Sequence, residues 1–219
     1  MDNDQRKFWL NKKRKERRSP FHPVVTAFVK PKIEFIKKNI NLESKATLLD
    51  VGCGNGYFTL HFAKHYDVTG LDYSEVMLNM NPYKKLVLGN AYKLPFSNDT
   101  FDIVFCSNLL HHLSSPWQAI EEMKRVSKRY IIISEPNRNN PLMFLFGLFN
   151  KEEWGSLKSS QNYFKQNFFK LNLVTKNLLI SGMTFPNKTP ASLLPILKFF
   201  DFNFFMGGYI TIIAEKCEE

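Results

Sequence analysis

Apolar positions along this chain alternate between two periods, and the alternation outlines an architecture. Over residues 24–40, Val25, Phe28, Val29, Ile33, Phe35, Ile36 and Ile40 recur at helical spacing, with a break expected near Pro31. Thr47–Val51 is a short apolar run of strand formers. Glycines follow it at once, and residues 57–65 then return to helical spacing. Residues 68–71 predict a second strand, 74–80 a short helix and 85–88 a third strand. Phe101–Ser107 is almost continuously apolar, as a strand covered on both faces must be. Pro116–Val126 predicts a helix and residues 130–134 a fifth strand.

Beyond Glu135 the regularity breaks. Residues 137–140 are turn-like and 141–154 are apolar and aromatic. Then come a predicted helix over 161–169, a strand over Leu173–Ser181, a helix over 193–201 and a last strand over 209–215. Strands alternating with helices predict an α/β fold: a mostly parallel seven-stranded sheet with helices on both faces. The expected organisation is a basic N-terminal arm over 1–23 and one domain over 24–219. An apolar, lid-like insertion of about 137–205 follows the fifth strand.

Composition narrows the class. A chain of 219 residues with 44% hydrophobic residues can bury one sizeable core. The apolar run at 142–149 is far short of the roughly 18–20 residues that span a bilayer, and the polar start has no signal-peptide pattern. The expectation is a cytoplasmic protein. Cys53, Cys106 and Cys217 are odd in number and widely spaced, so they read as free thiols in or near the core. No metal-ligand spacing is visible, and no metal is expected.

Charge adds one question. The net charge is +10, and residues 1–18 hold eight basic groups against three acids. Such a block is ordinarily a solvated face; its functional reading is contact with nucleic acid or an anionic membrane.

The strongest motif is Asp50-Val51-Gly52-Cys53-Gly54-Asn55-Gly56-Tyr57. A strand runs into three alternate glycines and then a helix start. Glycine admits backbone angles closed to other residues and lets the chain lie against a ligand. The spacing differs from the Gly-x-Gly-x-x-Gly of dinucleotide binders, and no Walker lysine follows. Asp72, in Gly70-Leu71-Asp72-Tyr73, ends the next strand 20 residues beyond Gly52. Rossmann-type sites place there the carboxylate that accepts hydrogen bonds from ribose.

These residues, with residues 89–96 and 101–113, resemble class I S-adenosylmethionine (SAM)-dependent methyltransferases, and most closely the type 11 group. The resemblance covers about residues 46–136. It implies a Rossmann-like fold and SAM as cofactor. It also implies that Gly52, Gly54 and Gly56 face the methionine part, that Asp72 with Tyr73 holds the ribose, and that Asn90 and Ala91 hold the adenine. The family often has Asp where Asn90 stands; an amide oxygen can still accept from the adenine amino group. Asp50 matches the acid of the first motif, and Asn108 lies where the fourth-strand loop passes the ligand. Val126-Ser127-Lys128-Arg129 stands where a Gly-Gly pair is common. N-terminal segments of the family often fold over the cofactor, which would put Phe8 and Trp9 on the ligand.

Methyl transfer needs alignment of the acceptor and exclusion of water, and a hydroxyl or carbon acid also needs a base. His111 and His112, after the fourth strand, and Glu135, ending the fifth, are the candidates. The expected acceptor is a small, hydrophobic or aromatic molecule, with no obligate protein partner. The alternatives are an RNA or protein methyltransferase that uses the basic arm, and a non-catalytic SAM-binding protein.

Overall fold

A computed structural model describes residues 17–42, 45–200 and 202–217. Phe8, Trp9 and most of the arm lie outside the described residues, as does Asp201. Along the chain run α1 (Pro23–Asn39), β1 (Thr47–Val51), α2 (Thr59–Phe62), β2 (Asp67–Asp72), α3 (Glu75–Asn79), β3 (Leu86–Leu88) and β4 (Phe101–Ser107). A 3-10 turn, Leu110–His112, leads to α4 (Pro116–Val126) and β5 (Ser127–Pro136). Then come α5 (Pro141–Phe149), a 3-10 segment (Lys151–Lys158), α6 (Gln161–Lys170), β6 (Leu173–Ser181), the short α7 (Leu194–Leu197) and β7 (Tyr209–Lys216).

The strands form one seven-stranded sheet in the order β3-β2-β1-β4-β5-β7-β6. The first five are parallel; β7 is antiparallel to both β5 and β6. Alternation along each strand divides the core between the two faces. Leu49, Val51, Val104, Cys106, Ile131 and Ile133 pack toward α4 and α6. Leu48, Ile103, Phe105, Ile132 and Ile213 pack with α1 and α2. The near-continuous apolar reading of β4 is thus the signature of a strand covered twice.

Four expectations need correction. Helix α1 runs unbroken through Pro31. A proline ring displaces the preceding turn, and here the buried Lys32 ammonium donates to the Phe28 carbonyl at 2.8 Å in that turn. The expected single insertion over 137–205 is two segments, 137–160 and 182–208, because α6 packs in the core and β6 pairs with β7. The helix expected over 193–201 breaks into short 3-10 and α turns. Cys53 and Cys106 are buried free thiols, but Cys217 is exposed. Among the described residues, no helix is long and apolar enough to cross a membrane.

Asp50 joins β1 to α2 across the glycine loop. It is 2% exposed, and its Oδ2 accepts the Thr59 hydroxyl proton at 2.7 Å. Burial pushes its carboxyl from the ordinary 3.8 up to about 7, against the Thr59 bond and with help from the Asp72 charge. The fold therefore favours neutral Asp50. Stability is full below the unfolded value of 3.8 and falls as pH rises through about 7. Asp50→Asn keeps an acceptor for Thr59 and removes the charge. The variant should gain stability over the native chain as pH rises from 4 to 7. The gain should level off above pH 7 at up to about 4 kcal/mol, at 1.36 kcal/mol per pKa unit. Urea titrations at several pH values check this; equal midpoints at pH 8 would refute it.

Candidate functional site

A cavity of about 650 Å³ opens at the carboxyl ends of the parallel strands, where open α/β sheets bind ligands. Of the expected site residues, Asp50, Gly52, Gly54, Asp72, Tyr73, Asn90, Ala91, Asn108, His111 and His112 all line it. Gly56 and Glu135 are not among its lining residues.

The cofactor-side wall is built from backbone. The amides of Gly52 and Cys53 both donate to the Leu71 carbonyl, at 2.7 and 3.0 Å, which pins the glycine loop to the end of β2. Asp72 then fixes two loops with one carboxylate. Its Oδ2 accepts the Gly54 amide and its Oδ1 the Ser74 amide, each at 2.8 Å. Each oxygen keeps a second lone pair for another donor. Burial raises the Asp72 pKa, opposed by these amides and by the Arg17 charge.

Gly54 has φ +51°, and a Cβ there would meet nothing closer than Arg17 Nη1 at 3.6 Å. That side of the loop faces the Arg17 guanidinium at van der Waals distance. Gly56 is glycine for a different reason. Its φ is +92° and a Cβ would run into the Asn81 amide, so it serves packing rather than the cavity wall. Asn81 in turn donates to the Gly54 carbonyl at 3.2 Å. Asn90 and Lys93 close a small bridge, and Asn90 Oδ1 accepts the Tyr92 amide at 3.0 Å. Asn108 turns the chain out of β4 at φ +50°, a conformation asparagine tolerates.

The opposite end depends on Glu135. This carboxylate is fully buried. Oε1 accepts the amides of Leu109 and Leu110 at 2.9 and 3.0 Å, and Oε2 pairs with His111 Nδ1 at 2.5 Å. It is a cap for the 3-10 turn, supplied by a neighbouring strand. As a general base it is corrected: its oxygens are committed to the turn, away from the cavity. His111 Nε2 meets Glu153 Oε2 at 3.1 Å. Burial opposes charge on this imidazole, but the Glu135 and Glu153 carboxylates outweigh it and push the His111 pKa up to about 10. His112 Nδ1 lies 3.1 Å from the Glu152 carbonyl oxygen.

Sequence reasoning missed Glu152 and Glu153, the acid pair in an otherwise apolar insertion, and also Arg17. Arg17 lies in the cavity wall, and its guanidinium is 5.9 Å from the Tyr57 ring centre. Arg18 donates to the carbonyls of Pro186 and Thr189 at 3.1 and 2.7 Å, while its own carbonyl accepts from Asn55 Nδ2 at 3.0 Å. Tyr57 donates to Asn187 Oδ1 at 2.5 Å. The end of the arm thus stitches the glycine loop to the second insertion.

Comparison with known proteins agrees with this geometry. Residues 49–132 match the model of a methyltransferase domain. An uncharacterized methyltransferase of Schizosaccharomyces pombe is 38% identical over 99 residues, covering 37% of this chain and 36% of the relative. The demethylmenaquinone methyltransferase of Lactiplantibacillus plantarum is 35% identical over 121 residues, covering 48% and 51%. The chain thus spans about half, or less, of the length of these curated relatives. The YcgJ protein of Bacillus subtilis shares the fold, with a TM-score of 0.65 at 19% identity over 87% of this chain and 99% of that one. Residues 49–132 thus match a methyltransferase domain, and the sheet that carries them has the fold of solved SAM-dependent methyltransferases.

Proposed function

We propose that this chain binds SAM in the cavity and transfers its methyl group to a small apolar acceptor. The observation that carries the reading is Asp72. A single half-buried carboxylate holds the Gly54 and Ser74 amides and still presents acceptor capacity to the cavity. Gly54 faces the Arg17 guanidinium without a side chain between them, and the donor set and the cavity fit a nucleoside with an attached amino acid.

Asp72 would take the ribose hydroxyls, Asn90 and Ala91 the adenine edge, and Gly52 and Gly54 the methionine chain. The Arg17 guanidinium sits among the charges of Asp72 and Glu153. It offsets the repulsion that a methionine carboxylate would otherwise meet there. Bound SAM supplies a methyl group already activated on a sulfonium. The protein's task is to align the acceptor and exclude water.

For that task the acceptor half offers Phe28, Met143, Phe146 and Phe185, with His111, His112 and Glu153 as its polar end. Few convergent polar groups on an apolar wall suit a small hydrophobic molecule. Helix α5 supplies Met143 and Phe146 to this wall. The demethylmenaquinone relatives carry a methyl acceptor in their names. Glu135 would act as a positioning residue for His111.

Asp72→Ala should weaken SAM binding by about 1–3 kcal/mol, the loss expected for a charged acceptor. Calorimetry on the folded variant checks it, and unchanged affinity would remove Asp72 from the site. Cell-extract fractions incubated with methyl-labelled SAM, with and without nuclease, test the acceptor class. Label in a small organic-soluble product is the expected result. Nuclease-sensitive label would establish the RNA reading instead, and saturable SAM binding without any product would make the chain a SAM-binding protein.

A further inference from the structure

One cluster in the cavity has a composition that methyl transfer to an apolar molecule does not require. One ligand atom from each of His111, His112 and Glu153 lies within 4.8 Å of the others. Both histidines are buried, and the Glu153 side chain is 22% exposed. We propose that these three residues form a binding site for a divalent transition-metal cation of the zinc class, at the acceptor end of the cavity.

The argument is geometric. His111 Nδ1 is held by the Glu135 carboxylate and His112 Nδ1 by the Glu152 carbonyl. Oxygen acceptors behind Nδ1 orient histidine ligands in metal sites, and a cation at His111 Nε2 would displace the proton that this nitrogen shares with Glu153. His111 Nε2 and Glu153 Oε2 are 3.1 Å apart, which is close to the roughly 3.4 Å between two ligands of a tetrahedral centre with 2.1 Å bonds. All three ligand atoms lie within 4.8 Å of one another, so closing on a cation takes side-chain shifts of about 1.5 Å at most.

The fold also brings Glu153 to the histidines by a specific device. Gly155 lies so close to the His111 backbone that a Cβ there would overlap the His111 carbonyl. The 3-10 segment can rest on the histidine turn only because residue 155 is glycine. Two imidazoles and one carboxylate form a nitrogen–oxygen set suited to zinc and its neighbours, with positions open to a further ligand. The cation would stabilise negative charge on an acceptor oxygen. That role rests on the methyl-transfer reading; the site itself does not.

The test is a cobalt(II) titration of the tag-free chain, followed by visible absorption. The native protein should bind one Co²⁺ saturably, with a ligand-field spectrum of low coordination number. Zn²⁺ should displace it. His112→Ala and Glu153→Gln should each weaken Co²⁺ by at least about a hundredfold, and Glu135→Gln by about 10–100-fold as a positioning residue. Circular dichroism and thermal melting of the same variants report whether each is folded. A native-like melt with lost cobalt binding supports the site. No saturable spectrum up to about 1 mM Co²⁺, or a spectrum that survives both ligand variants, would overturn it. The readout needs no turnover, so failure of the methyltransferase reading would show separately as absent SAM binding or absent product.

Discussion

The Glu135 carboxylate accepts the amides of Leu109 and Leu110 and pairs with the His111 ring from a position with no solvent contact. A buried charge is tolerable only where several donors converge on it. The donors here come from the turn after β4, while the acid ends β5, so the bond spans two adjacent parallel strands. Its removal would leave backbone amides unpaired in the interior. The turn would then lose the group that orients the His111 ring. The acceptor end of the cavity is thus an extension of the sheet, held as firmly as the strands beneath it.

The cofactor end has an analogous anchor in Asp72, but its roof is of another kind. Arg18, Asn55, Tyr57 and Asn187 link the arm, the glycine loop and the second insertion through a few polar bonds. Most of these are side-chain bonds between elements more than a hundred residues apart. Such contacts add little burial, and segments tied this way open more easily than packed strands. A rigid floor under a loosely laced roof would suit the proposed methyl transfer, in which cofactor and acceptor both enter and leave.

Much of this was legible in the sequence because the relevant signals are local. The five parallel strands announce themselves by short apolar runs, and the glycine loop and Asp72 by their spacing. Helix α4 was bounded correctly by Pro116 at its start and Val126 at its end. What could not be read depends on contacts between distant segments. The proline in α1 looked like a break because the pattern does not show how firmly the helix is buried on both sides of it, by Phe28 and Val29 before and Ile33 and Ile36 after. Glu135 looked like a base because nothing local shows that amides 24 to 26 residues away would occupy it. Gly56 looked like part of the ligand wall, and only its contact with Asn81 shows a packing role. Glu153 carried no signal beyond being an acid in an apolar stretch.

The order of the last strands bears on how the chain is made. Strand β7 lies between β5 and β6, yet it follows both in sequence. Among the described residues, β6 pairs only with β7. During synthesis β6 therefore leaves the ribosome with neither edge matched, and it waits while the segment over 182–208 is translated. At about 5–20 residues per second, that interval lasts seconds. The five parallel strands can assemble beforehand, with β5 as a temporary exposed edge. That edge invites pairing with another chain. The nascent protein is thus most open to misassembly just before β7 arrives, and a chaperone that shields a single strand edge would serve it better than one that encloses the whole domain.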